Sequence, residues 1–184
     1  MMIDYRRFLH FYSILLMVPS QISSNSWQSY FDLSSKGLEF SPFYPNVLLL
    51  FQTTNSMLTC AQLCLSITSC RTFSFDFQNK SCRLYEGDID RTGLLITSLS
   101  SESICGSMRL SPNDFLAIGQ SCFSCVNSRY LTCVNSTCQC PSHTYFDGSI
   151  CRSQKRNGSG CSYDIECRTD LNLTCLWNMY CGCK

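Results

Sequence analysis

Sixteen cysteines are the residues of this 184-residue chain with the most chemistry open to them: cross-linking, metal binding or nucleophilic catalysis. Cys122-x-x-Cys125 has the spacing of a zinc half-site, but the second Cys-x-x-Cys that a zinc ribbon requires is missing. A calcium site ahead of Cys122 would need an acidic cluster, and only Asn113 and Asp114 stand there. For acid–base work the chain offers His10, in its first residues, and His143, between Cys140 and Cys151. Neither Gly-x-Ser-x-Gly nor His-Glu-x-x-His occurs, so His143 has no recognisable nucleophile to serve. Asp88 and Asp90 read as a solvated turn rather than an acid/base pair. The expectation is no catalytic residue, no metal and no cofactor, with the cysteines used as disulfides.

Disulfides need an oxidising compartment, and the N-terminus supplies a route to one. Arg6 and Arg7, the apolar run Phe8 to Val18, then Pro19 and Ser20 follow the order of a secretory signal, here residues 1–20, with cleavage after Ser20 or Ser24. The run is about half of the ~20 residues that span a bilayer. The later run Val47 to Phe51 is shorter still, so the mature chain is expected to be soluble and extracellular, with no membrane span. Charged residues make up 15% and the net charge is +1, which argues against a nucleic-acid partner. Sequons at Asn79, Asn135, Asn157 and Asn172 are candidate glycosylation sites, each of which must be on the surface if used.

The elements that must position these cysteines follow from periodicity. Cys60, Leu63, Cys64 and Ile67 share one helix face, with Asn55 and Ser56 as candidate N-caps and Thr59 with Gln62 as a second possible start. Phe73, Phe75 and Phe77 then alternate with Thr72, Ser74 and Asp76, a strand with three aromatics on one side. Gln78 to Lys80 form a turn and Cys82 to Tyr85 a partner strand. A helix feeding a hairpin brings Cys60 to Cys82 and Cys64 to Cys70, the two bonds expected here.

Cys-Ala-Gln-Leu-Cys from Cys60, Ser-Cys-Arg-Thr-Phe-Ser-Phe-Asp around Cys70 and Ser-Cys-Arg-Leu-Tyr around Cys82 together resemble the PAN/apple domain family. The resemblance implies a small disulfide-rich α+β unit over residues 25–109, one helix on a curved antiparallel sheet, used extracellularly to bind protein or carbohydrate. In members with a third bond, a cysteine near the domain start joins one near its end; Cys105 fits the latter, but no cysteine precedes Cys60. Exposed side chains near the hairpin and helix end, Arg71, Lys80, Arg83, Tyr85 and Arg91, are the expected ligand-binding set.

After a linker at 110–121, eleven cysteines crowd into the last 63 residues, too dense for an ordinary core. Cys125, Leu-Thr-Cys133 and Cys138-Gln-Cys140 are echoed by Cys167, Leu-Thr-Cys175 and Cys181-Gly-Cys183, which predicts two small β-hairpin modules, 122–151 and 161–184, joined by an exposed linker at 152–160. The ending of the first resembles an EGF-like or EB-type module, and EGF-style pairing implies Cys122–Cys133, Cys125–Cys138 and Cys140–Cys151. The second stops before a closing cysteine, so either the chain is a fragment or Cys183 has another partner. Cys105 and Cys183 are left over, to pair with each other, to bond another chain or, as the third choice, to stay free thiols.

Two function classes follow. One is an extracellular recognition protein, acting alone or as the non-catalytic part of a larger protein. The other is a protease inhibitor presenting a disulfide-locked loop around Arg129, Arg156 lying in too loose a linker to be preorganised.

Overall fold

The computed structural model describes residues 30–177 and 179–183; the signal read at residues 1–20 lies outside the described residues. Strands β1 (Tyr30–Leu33), β2 (Leu38–Pro42) and β3 (Leu48–Thr53) precede helix α1 (Met57–Ser66). The helix starts where the Ser56 hydroxyl accepts a hydrogen bond from the Thr59 N–H at 3.1 Å, so Ser56 rather than Asn55 is the cap. It stops at β-branched Ile67, which is extended. Then come β4 (Cys70–Asp76), β5 (Ser81–Glu86), the one-turn helix α2 (Ile89–Thr92), β6 (Gly93–Thr97) and β7 (Ser103–Arg109).

Five of these strands form an antiparallel sheet in the order β1-β7-β4-β5-β3, and α1 lies across one face with Cys60, Ala61 and Cys64 buried. Under it are Phe73 and Phe75, 0% and 1% exposed; Phe73 meets Phe31 edge-on at 5.0 Å. The Cys60–Cys82 bond ties the helix to β5, and Cys64–Cys70 ties its last turn to the start of β4.

The opposite face of β4 is also covered, which alternation alone did not announce. Strands β2 and β6 pair with each other as a second, two-stranded layer. Between the layers lie Phe40, Val47, Tyr85 and Cys105, with the Phe40 and Tyr85 rings 4.8 Å apart. The polar residues alternating with the phenylalanines are therefore buried and bonded: Ser74 accepts from the Phe40 N–H at 3.2 Å, and Thr72 donates to the Gly87 carbonyl at 3.0 Å. This satisfies the rule that buried polar atoms need partners.

Beyond β7 the chain builds three hairpins: β8 (Thr132–Val134) with β9 (Thr137–Gln139), β10 (Thr144–Phe146) with β11 (Cys151–Ser153), and β12 (Leu173–Cys175) with β13 (Cys181–Cys183). The first turns through Asn135 and Ser136, both at positive φ, the geometry that matches hairpin twist. Cys122–Cys133, Cys125–Cys138 and Cys140–Cys151 staple the first module, and Cys161–Cys175 and Cys167–Cys181 the second. The sequence echo thus extends to the bonding, with Cys183 the counterpart of Cys140 but unbonded.

The connecting segments are not spacers. At 110–121 a capped turn, in which the Ser111 N–H donates to the Asp114 carboxylate and the Ser111 hydroxyl accepts from the Asn113 N–H, places Phe115 (2% exposed) in the same core as α1, Tyr130 and Leu131. In the segment expected as an exposed linker at 152–160, Ser153 and Arg156 are buried. All four sequon asparagines are exposed.

Candidate functional site

Where β5 ends, Glu86 leads into a turn at Gly87, whose φ of +99° favours glycine. The cysteine-rich modules close on this point. Glu86 Oε1 lies 2.5 Å from His143 Nδ1, and Oε2 lies 3.6 Å from Arg156 and 3.7 Å from Arg168. His143 Nε2 in turn faces Asp170 at 3.6 Å. Alongside, Asp88 and Ser153 bond reciprocally: the Asp88 N–H donates to the Ser153 hydroxyl at 3.2 Å, and the Ser153 N–H to Asp88 Oδ2 at 3.1 Å. Arg91 donates to the Tyr145 hydroxyl at 2.9 Å. A seam of charge and hydrogen bonds therefore joins the unit of β1–β7 and α1 to both modules.

One stretch of the seam is open. A cleft of about 420 Å³ is walled by Leu49, Thr68 and Ser69 on one side and by Thr132, Pro141, Ser142 and His143 on the other, with Glu86 between. Thr68 and Ser69 sit in the turn from α1 to β4, held by the Cys64–Cys70 bond. Pro141 to His143 sit between β9 and β10, held by Cys140–Cys151. Both lips are thus fixed by covalent staples. Behind the cleft lies a chamber of about 10 Å³ that shares Thr68, Ser69, Glu86, Pro141, Ser142 and His143 with it and is backed by Arg71.

The five side chains expected to bind ligand do not come together. Arg71 and Tyr85 are corrections: both are 3% exposed, Tyr85 packed against Phe40 and Arg71 stacked over the Tyr130 ring at 5.7 Å. Burial works against the Arg71 charge, and the nearby Asp88 supports it. Arg83 is half-buried, paired with Glu39 at 3.4 Å and lying over Phe51; Arg91 belongs to the seam. Lys80 is exposed at the hairpin turn, away from the cleft lining. Of the set, only Arg71 reaches the site, from behind. Glu86, Ser69 and Ser142 carried no sequence signal; His143 did, as the only histidine beyond residue 10.

Arg129 is also a correction. Its Nη2 donates to the carbonyls of Cys64 and Ile67, at 3.0 and 3.1 Å. Both carbonyls also accept a backbone N–H, from Ile67 and Cys70, and the guanidinium sits at the C-terminal end of α1, the favourable position for a cation. A residue so engaged is not presented to a protease, and Arg156 is buried as well. The inhibitor reading loses both of its arginines.

Each ring nitrogen of His143 faces a carboxylate, Nδ1 that of Glu86 at 2.5 Å and Nε2 that of Asp170 at 3.6 Å. The sulfurs of Cys161, Cys167 and Cys181 cluster within 4.8 Å, but all three belong to disulfides and offer no thiolate. Cys105, 1% exposed, is sealed between the layers and cannot reach another chain, and burial pushes its thiol up to about 12. In a Cys183→Ser chain, no thiol should react with Ellman's reagent in buffer and one should appear in guanidinium. Reaction in buffer would show that the second layer does not cover Cys105.

Acid should loosen the seam. Hydrogen bonds from Arg168, 2.7 Å each, hold the Asp170 carboxyl below the usual range, with desolvation opposing. A depressed carboxyl contributes stability that is present above its unfolded value of about 4 and is lost as pH falls through its folded value. The thermal midpoint should therefore fall below about pH 4, and Asp170→Asn should flatten that limb. An unchanged limb in the variant would remove Asp170 from the seam's energetics.

The PAN domain family model matches residues 41–108. PAN domains are protein- or carbohydrate-binding modules of extracellular proteins. The match runs from the end of β2 through β3, α1, β4, β5 and β6 into β7, and stops before the cysteine-rich modules. No curated protein and no solved structure matches the chain. Among the described residues no helix is long and apolar enough to cross a membrane.

Proposed function

We propose that this chain, whose residues 41–108 match the PAN domain, is a secreted, non-catalytic recognition protein that holds a protein or carbohydrate ligand in the cleft between its apple-type unit and its EGF-like module. The observation that carries this reading is the cleft itself, a recess whose two lips are each pinned by a disulfide. A preorganised recess spends little binding energy on ordering itself. Seven disulfides and four exposed sequons support export. The cysteine-rich modules complete the binding surface instead of acting as a spacer, and exposed Cys183 is the point at which a second chain can be joined by a disulfide.

The test is a glycan array and a panel of extracellular matrix and cell-surface proteins probed with the intact chain and with Ser142→Trp. Ser142 is exposed at the cleft lip, so the indole fills the recess without touching the core. Binding by the parent chain and its loss in the variant are expected. Equal binding by both would place the ligand elsewhere and overturn the assignment.

A further inference from the structure

Strand β6 has an open edge. Leu94, Leu95, Ile96 and Thr97 are exposed one after the other, and three of the four are large and apolar. The Phe43 N–H donates to the Thr92 carbonyl and the Ser98 N–H to the Gly37 carbonyl, which fixes the hydrogen-bonded pairs of the β2–β6 ladder as Ser41 with Leu94 and Glu39 with Ile96. The backbone groups of the intervening pair, Phe40 and Leu95, therefore point away from each other. On the β2 side that direction leads into the fold, where the Phe40 N–H donates to the Ser74 hydroxyl. On the β6 side it leads outward. The N–H and C=O of Leu95 and Thr97 lie along that edge, and among the described residues no other strand pairs with them.

Natural proteins usually blunt such an edge with charge, proline or a bulge. This strand has none of them: its register with β2 runs without a shift, and from Gly93 to Ser101 the chain holds neither a charged residue nor a proline. Leu95 lies on one face of the strand, Leu94 and Ile96 on the other. A second extended strand would take the free backbone groups and cover apolar side chains on both faces at once.

We propose that this second strand is β6 of another copy of the chain, paired antiparallel across a twofold axis at Ile96. Gly93 is buried, so the pairing is confined to Leu95 and Thr97. With the axis at Ile96, each Leu95 exchanges both of its free backbone bonds with Thr97 of the other copy. Ile96 then meets its own counterpart in a non-hydrogen-bonded pair, where side chains come closest, with Leu94 beside it on the same face. Self-pairing over Gly93 to Ser101 sets no like charges opposite each other, because that stretch is uncharged. A copy is favoured over an unrelated peptide because β6 itself meets every demand of the edge: it is extended, apolar and uncharged, and it frees its backbone groups at the same alternate residues. Each open edge is used once, so assembly stops at two. The interface is small, in the class of weak and transient contacts.

The experiment is sedimentation velocity on the Cys183→Ser chain, in which the exposed thiol cannot join two copies. A reversible monomer–dimer equilibrium should appear between about 10 μM and about 1 mM, and the Leu95 and Thr97 amides should exchange more slowly as the dimer fills. Ile96→Lys sets two ammonium groups against each other on the axis and should weaken the dimer at least about tenfold, with the near-ultraviolet circular dichroism unchanged. Ile96→Cys should instead cross-link the two copies on mild oxidation, since Cα atoms of a non-hydrogen-bonded pair lie about 4.5 Å apart, within reach of a disulfide. Leu94→Cys, off the axis, should not. A monomer throughout the range would overturn the inference, as would a dimer that Ile96→Lys leaves intact or assemblies larger than two. Protection of the two amides in a chain that stays monomeric would mean that another segment of the same chain covers the edge, and would overturn it as well. The cleft reading is unaffected by any of these results, because no residue of β6 lines the cleft.

Discussion

Replacing Cys60 and Cys82 together by alanine should lower stability by about 2–5 kcal/mol, measured as the shift of the urea midpoint followed by near-ultraviolet circular dichroism. The bond joins the middle of α1 to β5 across 22 residues, with both cysteines fully buried. It matters here because the helix has little else of its own. Only Cys60, Ala61 and Cys64 of its ten residues are buried, two of the three are cysteines, and each is bonded to the sheet side. Without the bond the unfolded chain gains freedom and the helix keeps only a narrow apolar stripe to hold it down. The turn carrying Thr68 and Ser69 follows that helix, so the cleft should widen too. A loss smaller than about 1 kcal/mol would mean that packing, not sulfur, holds the helix in place.

Phe73→Ala should be comparably damaging, costing about 3–5 kcal/mol in the same assay. Phe73 is on the central strand, fully buried, with Phe31 edge-on against it. The ring also lies directly over Gly106 of the neighbouring strand, where any Cβ would fall inside its envelope. Strands on both sides and a disulfide-bonded helix above prevent collapse into the space, so the cavity stays open and its cost is not recovered. A loss under about 1.5 kcal/mol would show that this core relaxes freely and is not rigid.

The parts of the fold legible in the sequence were those fixed by neighbours along the chain. The Ser56 cap, the helical spacing of Cys60 and Cys64, the Phe73–Phe75 alternation and the Leu-Thr-Cys echo all act within a few residues, and the structure places a helix, a strand and hairpins there. What could not be read was the layer formed by β2 and β6, because Phe40 and Leu95 meet only after the whole hairpin region has folded between them. That omission explains the misplacement of Tyr85: it sits on the face opposite α1, and with no second layer in view an aromatic on that face read as exposed. Arg71 failed for a related reason, since the ring that covers it, Tyr130, comes from the module beyond the linker.

The site shows the same division. His143 stood out by rarity, but its partners Glu86 and Asp170 come from different modules, and nothing in spacing or periodicity links three such positions. Residues 110–121, punctuated by Ser-Pro-Asn and Gly119, and 152–160, basic and rich in Gly and Ser, read as linkers because such local signals report turns and flexibility. Phe115, Ser153 and Arg156 instead dock, each through a contact with a residue far away in the chain.

The claim on which everything else depends is that the unit containing the PAN match and the cysteine-rich modules are energetically one body at the Glu86–His143 contact, since only then is the cleft a fixed recess. A double-mutant cycle tests it most directly: Glu86→Gln, His143→Gln and the pair, with unfolding free energies measured in urea. Groups in contact within one network are expected to couple by about 0.5–3 kcal/mol, so the double variant should lose less than the sum of the singles. Strict additivity would mean that the two modules do not hold each other, and the cleft between them would not be a built site.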